Sequence, residues 1–370
     1  MKRFSISTAI FSGENALKRL NKFKNMRVWI VCDAFLAKGE PIERIEAELA
    51  GNEIRIYTDI QPDPDVQTVV AGMKDLIDFK PDIVIGFGGG SAIDAAKAMV
   101  FFATKFDIQL ERCIAIPTTS GTGSEVTNAT VITDEEKGIK YPIFDSSIYP
   151  DEAILETKFV VTVPPHITAN TGMDVLTHAI EAYVSTMAND FSDALAEKSV
   201  ALVFEHLPTA VVKGDCEKTR EKMHNASCMA GMAFSQSGLG INHAIAHQLG
   251  GKFHVAHGLA NALLLPHVIR FNAKNDIRAR KRYARIAKAC RFCHPDASPE
   301  AGVNQLIHNI KRLQKEVKIA TSLRGLKITR KDVLAQMEAL VESTLQDSTM
   351  TTTPFKANSL QVKQIIEALL

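Results

Sequence analysis

The chain has 370 residues, enough for about two domains at the usual ~150 residues each. With 46% hydrophobic and 23% charged residues it has the make-up of a globular protein with a substantial core. Lysine and arginine number 43 against 42 acidic residues, so the net charge of +1 leaves no electrostatic footprint for nucleic acid or another polyanion. No apolar run reaches the ~20 residues that a bilayer crossing needs. The opening stretch MKRFSISTAIFSG alternates apolar and polar residues, lacks the apolar core of a signal peptide and reads as a first strand. Six cysteines without an export signal lead us to expect a reducing, cytoplasmic compartment rather than a disulfide framework.

Short β-branched runs then alternate with amphipathic stretches as far as residue 163. RVWIVCD (27–33), EIRIYTD (53–59), PDIVIGFGGGS (81–91) and CIAIPTT (113–119) read as strands, and 130–143 as a hairpin. Helical periodicity over 65–79 and 91–105 between such strands predicts βαβ units with right-handed crossovers and a parallel sheet. The character changes at Pro164-Pro165. Helical patterns follow over 164–185, 193–207, 223–238, 260–272, 278–289, 300–320, 331–346 and 359–370, with few strand signals. The expected organisation is an α/β domain over 1–163 and an all-helical domain over 164–370.

Two small-residue loops stand out in the first part. Gly86-Phe87-Gly88-Gly89-Gly90-Ser91 follows an apolar strand and opens a helix, where glycines admit a phosphate close to the backbone and the first helical amides donate to it. The spacing departs from G-x-G-x-x-G, and a tight turn alone also explains glycines here. Pro117-Thr118-Thr119-Ser120-Gly121-Thr122-Gly123-Ser124 ends the next strand, and two such loops at one end of a parallel sheet suit a dinucleotide. Asp33 closes the first apolar run. Its carboxylate either accepts from an adenosine ribose or caps the next helix.

The histidines are unevenly placed: of eleven, five (243, 247, 254, 257 and 267) fall between residues 243 and 267. His243 and His247 lie four apart on one predicted helix, and Asp174 and His178 four apart on another, so each pair shares a face. A carboxylate with several imidazoles and no thiolate suits Fe(II), Zn(II) or Mn(II). Spacing does not say which of the five late histidines bind. HExxH is absent, so a metalloprotease would lack its general base. Two other patterns carry no function: Cys290-Arg291-Phe292-Cys293-His294 spells a haem c attachment pattern without an export signal, and Asn128 and Asn225 stand in sequons by spelling only.

GGGSAIDAAK (88–97), PTTSGTGSEVT (117–127), TGMDVLTHAIEAYVS (171–185) and HAIAHQLGGKFHVAHGLANALLLPHV (243–268) together resemble the iron-containing (group III) alcohol dehydrogenases, in order and over essentially the whole chain. The resemblance implies a dehydroquinate synthase-like architecture and a metal, Fe(II) or Zn(II), bound by Asp174, His178, His243 and His257. It implies that His247 lies near the nicotinamide as a catalytic neighbour, with His254 and His267 as bystanders. The implied cofactor positions are Asp33, Gly88, Gly89, Gly90, Ser91, Asp94, Thr118, Thr119 and Lys140, with Asp33 favouring NAD(H) over NADP(H). The closer likeness, through stretches such as GIKYP, KMHNAS and GMAFSQSGLGINHAIAHQLGG, is to the branch that works in propanediol-utilisation microcompartments. It implies reduction of propanal to 1-propanol, a homodimer, and contact with the CoA-acylating propanal dehydrogenase and the shell. Glycerol dehydrogenases and dehydroquinate synthases share the architecture, and a non-catalytic microcompartment component is the remaining alternative. The stretch around the histidines is apolar and poor in Arg and Lys, which favours a small uncharged substrate over a phosphorylated one.

Overall fold

The computed structural model describes residues 4–61, 64–106, 108–134 and 139–370. The chain divides into two compact units, Met1–Val163 and Pro164–Leu370.

The first unit holds strands β1 (Ala9–Ser12), β2 (Arg27–Val31), β3 (Glu53–Tyr57), β4 (Ile83–Gly88), β5 (Arg112–Pro117), β6 (Ala129–Asp134), β7 (Ile139–Phe144) and β8 (Glu152–Leu155), with helices α1 (Glu40–Glu48), α2 (Val66–Phe79) and α3 (Gly90–Lys105). Six strands form one sheet in the order β1-β8-β5-β4-β2-β3, and every pairing in it is parallel. The near-continuous apolar runs explain this, because a parallel sheet is covered on both faces. Ile30, Ile83, Ile85 and Ile114 pack on one side with Leu20 and Ile45, while Trp29, Val84 and Cys113 pack on the other with Leu76 and Met99. β6 and β7 form the expected antiparallel hairpin. The sequence reading left out β8, a four-residue strand inserted between β5 and β1, and α1, which starts beyond Gly39.

Strand order reverses once in a way that matters. β2 has β3 on one side and β4 on the other, so the chain crosses back over β2 between them. In open parallel sheets a crevice forms outside the carboxyl ends of strands at such a switch point.

The second unit contains no strand among its described residues. It is built from α4 (Pro165–Val184), α5 (Asp190–Val212), α6 (Glu217–Ser237), α7 (Ile241–Phe253), α8 (His257–Asn275), α9 (Ile277–Ala289), α10 (Pro299–Glu316), α11 (Arg330–Gln346) and α12 (Ser359–Glu367). α4 is buried along almost its whole length from Thr168 to Val184, and packs against α5, α6 and α8. It is the central helix of this unit. α5 and α6 exceed the predicted 193–207 and 223–238, whereas α10 stops four residues short of the predicted 320. Within α5, Pro208 forfeits one backbone donor, yet the helix continues to Val212 on the strength of packing. No helix among the described residues is long and apolar enough to cross a membrane.

Candidate functional site

Two clusters of polar and small residues stand out, one in each unit. In the first, Asp33 follows β2. Its Oδ1 accepts from the amides of Phe35 and Leu36, both at 3.0 Å, so the residue does cap a turn. The cap uses one oxygen only. Oδ2 lies 3.9 Å from where a Cβ on Gly88 would stand, beside the glycine loop at the end of β4. β2 and β4 are neighbours across the switch point, which is why residues so far apart in sequence meet.

Gly88 pairs with Pro117 across β4 and β5, and the Thr118 amide donates to the Gly88 carbonyl at 2.8 Å. The glycine loop and the hydroxyl loop are therefore adjacent. They approach so closely that a Cβ on Gly90 would come within 2.7 Å of the Thr122 methyl, and the Thr119 side chain lies 3.7 Å from the Cβ position of Gly89. α3 starts on these glycines, and its N-cap Gly89 brings no side-chain cap. Ser91 is in its first turn. Asp94, one turn on, accepts a short hydrogen bond from the Ser124 hydroxyl. Lys97 is fully buried and ties the loop down, donating to the Ser124 carbonyl at 3.0 Å, the Ser124 hydroxyl at 3.1 Å and the Thr127 hydroxyl at 2.9 Å. Burial holds the Lys97 ammonium below its ordinary range, and pushes the nearby Glu125 carboxyl up to about 7. The structure thus gathers Asp33, Gly88, Gly89, Gly90, Ser91, Asp94, Thr118 and Thr119 at one end of the sheet. Lys140 stands opposite Thr133 in the β6–β7 hairpin, and its side chain lies outside the described residues.

The second cluster is centred on α4. Asp174 and His178 are four apart on its buried face, His243 sits in the first turn of α7, and His257 is the first residue of α8. One ligand atom from each lies within 4.8 Å of the other three. The His178 ring is stacked between Phe234 and His243, with centroids 4.6 Å from each. Asp174, His178 and His243 are buried, while the His257 side chain is 44% exposed. α8 can start so near α4 because residue 258 is glycine: a Cβ there would stand 2.3 Å from the Asn170 carbonyl oxygen.

Residues outside the four hold them in place. Glu181 Oε2 meets His243 Nδ1 at 2.5 Å, and Oε1 accepts from the Asn242 amide at 2.8 Å. Asn261 Nδ2 donates to Asp174 Oδ1 at 2.7 Å and lies 3.2 Å from His257 Nε2, and Asn242 Nδ2 donates to Asn261 Oδ1 at 2.9 Å. Glu181 follows Asp174 at i+7 and His178 at i+3 and so belongs to the same helical face. Asn261 follows His257 at i+4. These were readable signals that a search for metal-binding residue types passes over.

The donor set fits a divalent cation. His243 Nε2 is buried and has no hydrogen-bond partner, while Nδ1 is fixed by a carboxylate, the arrangement of a metal-ligating imidazole. Burial pushes the Glu181 carboxyl up to about 8, against the pull of the Asn242, His243 and Gly240 amides. Burial, then the imidazoles of His178, His257 and His247, hold His243 well below the ordinary range. Burial disfavours charge on both groups, and a cation at Nε2 would reverse the balance for the carboxylate.

His247, one turn beyond His243, stacks on His257 with centroids 5.5 Å apart and planes at 18°. Its Nδ1 lies 2.8 Å from Oδ2 of Asp347, a residue the sequence reading did not single out. Burial raises the Asp347 carboxyl, but its hydrogen bond to His247 and those from Thr349 outweigh this and hold it below the ordinary range. His254 closes α7 in the left-handed region, φ 53°, and His267 is half-buried on α8; neither is among the four clustered ligands. The six cysteines are free thiols, and burial pushes the Cys290 thiol up to about 12.

Comparison with known proteins gives this geometry its context. A family model for iron-containing alcohol dehydrogenase matches residues 7–157, and one for the C-terminal part of the Fe-containing alcohol dehydrogenase family matches residues 168–370. The chain is 56% identical to the 1-propanol dehydrogenase PduQ of Citrobacter freundii, over the full length of both. Among solved structures, 1,3-propanediol oxidoreductase superposes with a TM-score of 0.92 at 31% identity, covering all of both chains. Sulfoacetaldehyde reductase from Bifidobacterium kashiwanohense, in complex with NAD+, superposes at 0.89 with 27% identity, covering 100% of this chain and 98% of that one. Matched along nearly its whole length, and with a full-length relative at more than half identity, the chain belongs to the iron-containing alcohol dehydrogenase family.

Proposed function

We propose that the enzyme reduces propanal to 1-propanol with NADH and so regenerates NAD+. The observation that carries the proposal is the buried tetrad of Asp174, His178, His243 and His257, backed by Glu181 and Asn261. The substrate assignment is supported by the 56% identity to a 1-propanol dehydrogenase. The family match and the identity to a 1-propanol dehydrogenase favour this reading over a synthase-like enzyme or a glycerol dehydrogenase, and the complete set of ligating side chains speaks against a non-catalytic component.

When bound, the metal supplies Lewis acidity toward the oxygen of the alcohol or aldehyde, and the nicotinamide supplies or accepts the hydride. The protein's own residues do the rest. Asp174, His178, His243 and His257 hold the metal, Fe(II) by family and Zn(II) by equal suitability of the donors. Glu181 fixes the His243 ring and Asn261 the Asp174 carboxylate, so neither ligand has to be ordered at the moment of binding. Amides at the start of α3 and the hydroxyls of Ser91, Thr118 and Thr119 bind the diphosphate, with Asp94 and Lys97 holding the second loop in shape. Asp33 Oδ2 accepts from the adenosine ribose hydroxyls, and its charge repels a 2′-phosphate, which selects NAD(H). Lys140 is assigned to the cofactor by family position. His247, 37% exposed, passes a proton between the reacting oxygen and solvent.

In this reading Met1–Val163 is the dinucleotide-binding domain and Pro164–Leu370 the metal-binding one. Likeness to PduQ further supports a homodimer that works in the cytoplasm inside a propanediol-utilisation microcompartment, beside the CoA-acylating propanal dehydrogenase and the shell. The decisive assay is anaerobic NADH oxidation with short aldehydes before and after chelation. We expect turnover of propanal that chelation abolishes and Fe(II) restores. Absence of turnover with every short aldehyde tested overturns the proposal.

A further inference from the structure

We infer that Asp347 is a positioning residue that fixes the tautomer of His247, holding the proton on Nδ1 and leaving Nε2 as the nitrogen that exchanges protons. The inference rests on the reading of His247 as the proton relay. It starts from how the two oxygens of Asp347 are divided. Oδ1 accepts from the Thr349 amide at 2.9 Å and from its hydroxyl at 2.7 Å, as the cap of a short 3-10 turn, Ser348–Thr352. Oδ2 meets His247 Nδ1 at 2.8 Å. The carboxylate is therefore oriented by its own turn before it meets the imidazole.

The turn itself is fastened down. The Thr352 hydroxyl donates to the Leu239 carbonyl at 2.6 Å, the Thr186 amide donates to the Thr352 carbonyl at 3.0 Å, and Met350 is buried in the core beside α7. A carboxylate only accepts, so the shared proton sits on Nδ1. A neutral imidazole carries one N–H, hence Nε2 holds the lone pair. The ring is set on its other side by stacking on His257. Asp347, with a side chain 12% exposed, thus serves His247 as Glu181 serves His243: each histidine of the i,i+4 pair on α7 has a carboxylate at Nδ1.

Asp347→Asn tests this without removing the cap. The Asn oxygen takes the Oδ1 position and accepts from Thr349, which turns the NH2 toward His247 Nδ1 and imposes the opposite tautomer. In the Zn(II)-loaded full-length enzyme, ring 15N–1H correlations, with the His247 signals assigned by comparison with His247→Ala, are expected to show Nδ1–H in the native chain and Nε2–H in the variant. Its kcat for propanal reduction is expected to fall by roughly 10²-fold, the lower end of what a positioned acid–base group contributes. KM for NADH and the metal content stay unchanged. Because Asp347 acts through His247, the substitution is expected to cost nothing further in a His247→Ala background. Retention of Nδ1–H in Asp347→Asn overturns the inference, as does an equal loss of kcat with and without His247. Undiminished kcat in His247→Ala alone removes the relay reading, and the tautomer spectrum still decides the role of Asp347.

Discussion

The contribution of single residues is clearest around the tetrad. The i,i+4 spacing of Asp174 and His178 alone puts two donors on one face, because 3.6 residues per turn leaves little freedom. Glu181 lies on that same face, but a carboxylate that binds an imidazole instead of a metal has no spacing rule of its own. Asp347 was beyond reach, since it meets His247 only after a separation of 100 residues is closed by tertiary packing. His257→Ala is expected to abolish both metal content and activity, measured by elemental analysis and NADH oxidation on one sample. His247→Ala should keep its metal and lose turnover, and loss of metal in that variant would make His247 a ligand. Glu181→Gln, which weakens the orientation of His243, should lower metal affinity by about 10–100-fold in a competition titration with a chelating dye. For Asp33→Gly the expected change is a lower preference for NADH over NADPH in kcat/KM, and an unchanged ratio would leave Asp33 as a cap alone.

Among the elements, long ones with strong periodicity could be read and short or context-dependent ones could not. The parallel strands β2, β4 and β5 announced themselves as apolar runs closed by small residues. β8 has only four residues and gains its identity from the neighbours it pairs with, β5 and β1. The helical pattern over 193–207 stops just ahead of Pro208, whereas burial of Leu207 and Ala210 carries α5 past that proline to Val212. The loop that follows β5 makes a prediction of its own. Glu125 is buried there with a carboxyl pushed from 4.5 to about 7, so the folded state holds its proton over that range while the unfolded state releases it. Its contribution is complete below pH 4.5 and is lost as pH rises through 7. Glu125→Gln is therefore expected to raise Tm at pH 8 by several degrees and to leave it near native at pH 4.5. Equal shifts at both pH values in thermal unfolding would contradict this.

At the scale of the whole molecule, each unit carries a core of its own: sheet faces clad by helices in Met1–Val163, and layers around α4 in Pro164–Leu370. The tetrad joins three helices, α4, α7 and α8, within the second unit. A cation bound only by the folded form stabilises that form by about 4 kcal/mol at a thousandfold excess over Kd. For a unit of this size that is roughly 10 °C in Tm. Chelation should lower the thermal transition of the helical unit by that order, and the metal-free Asp174→Ala chain should show no such response in calorimetry.

The tetrad's walls are uneven, and this governs traffic. Three of its donors are sealed in the helical core, whereas His257 stands half in solvent at the very start of α8. A cation arriving from water meets His257 first, and one leaving releases it last. The open side is the route by which the site fills and empties, and all four donors together set how tightly it holds. Access and affinity therefore overlap at one residue, since His257 is at once the open edge of the site and one of its four donors.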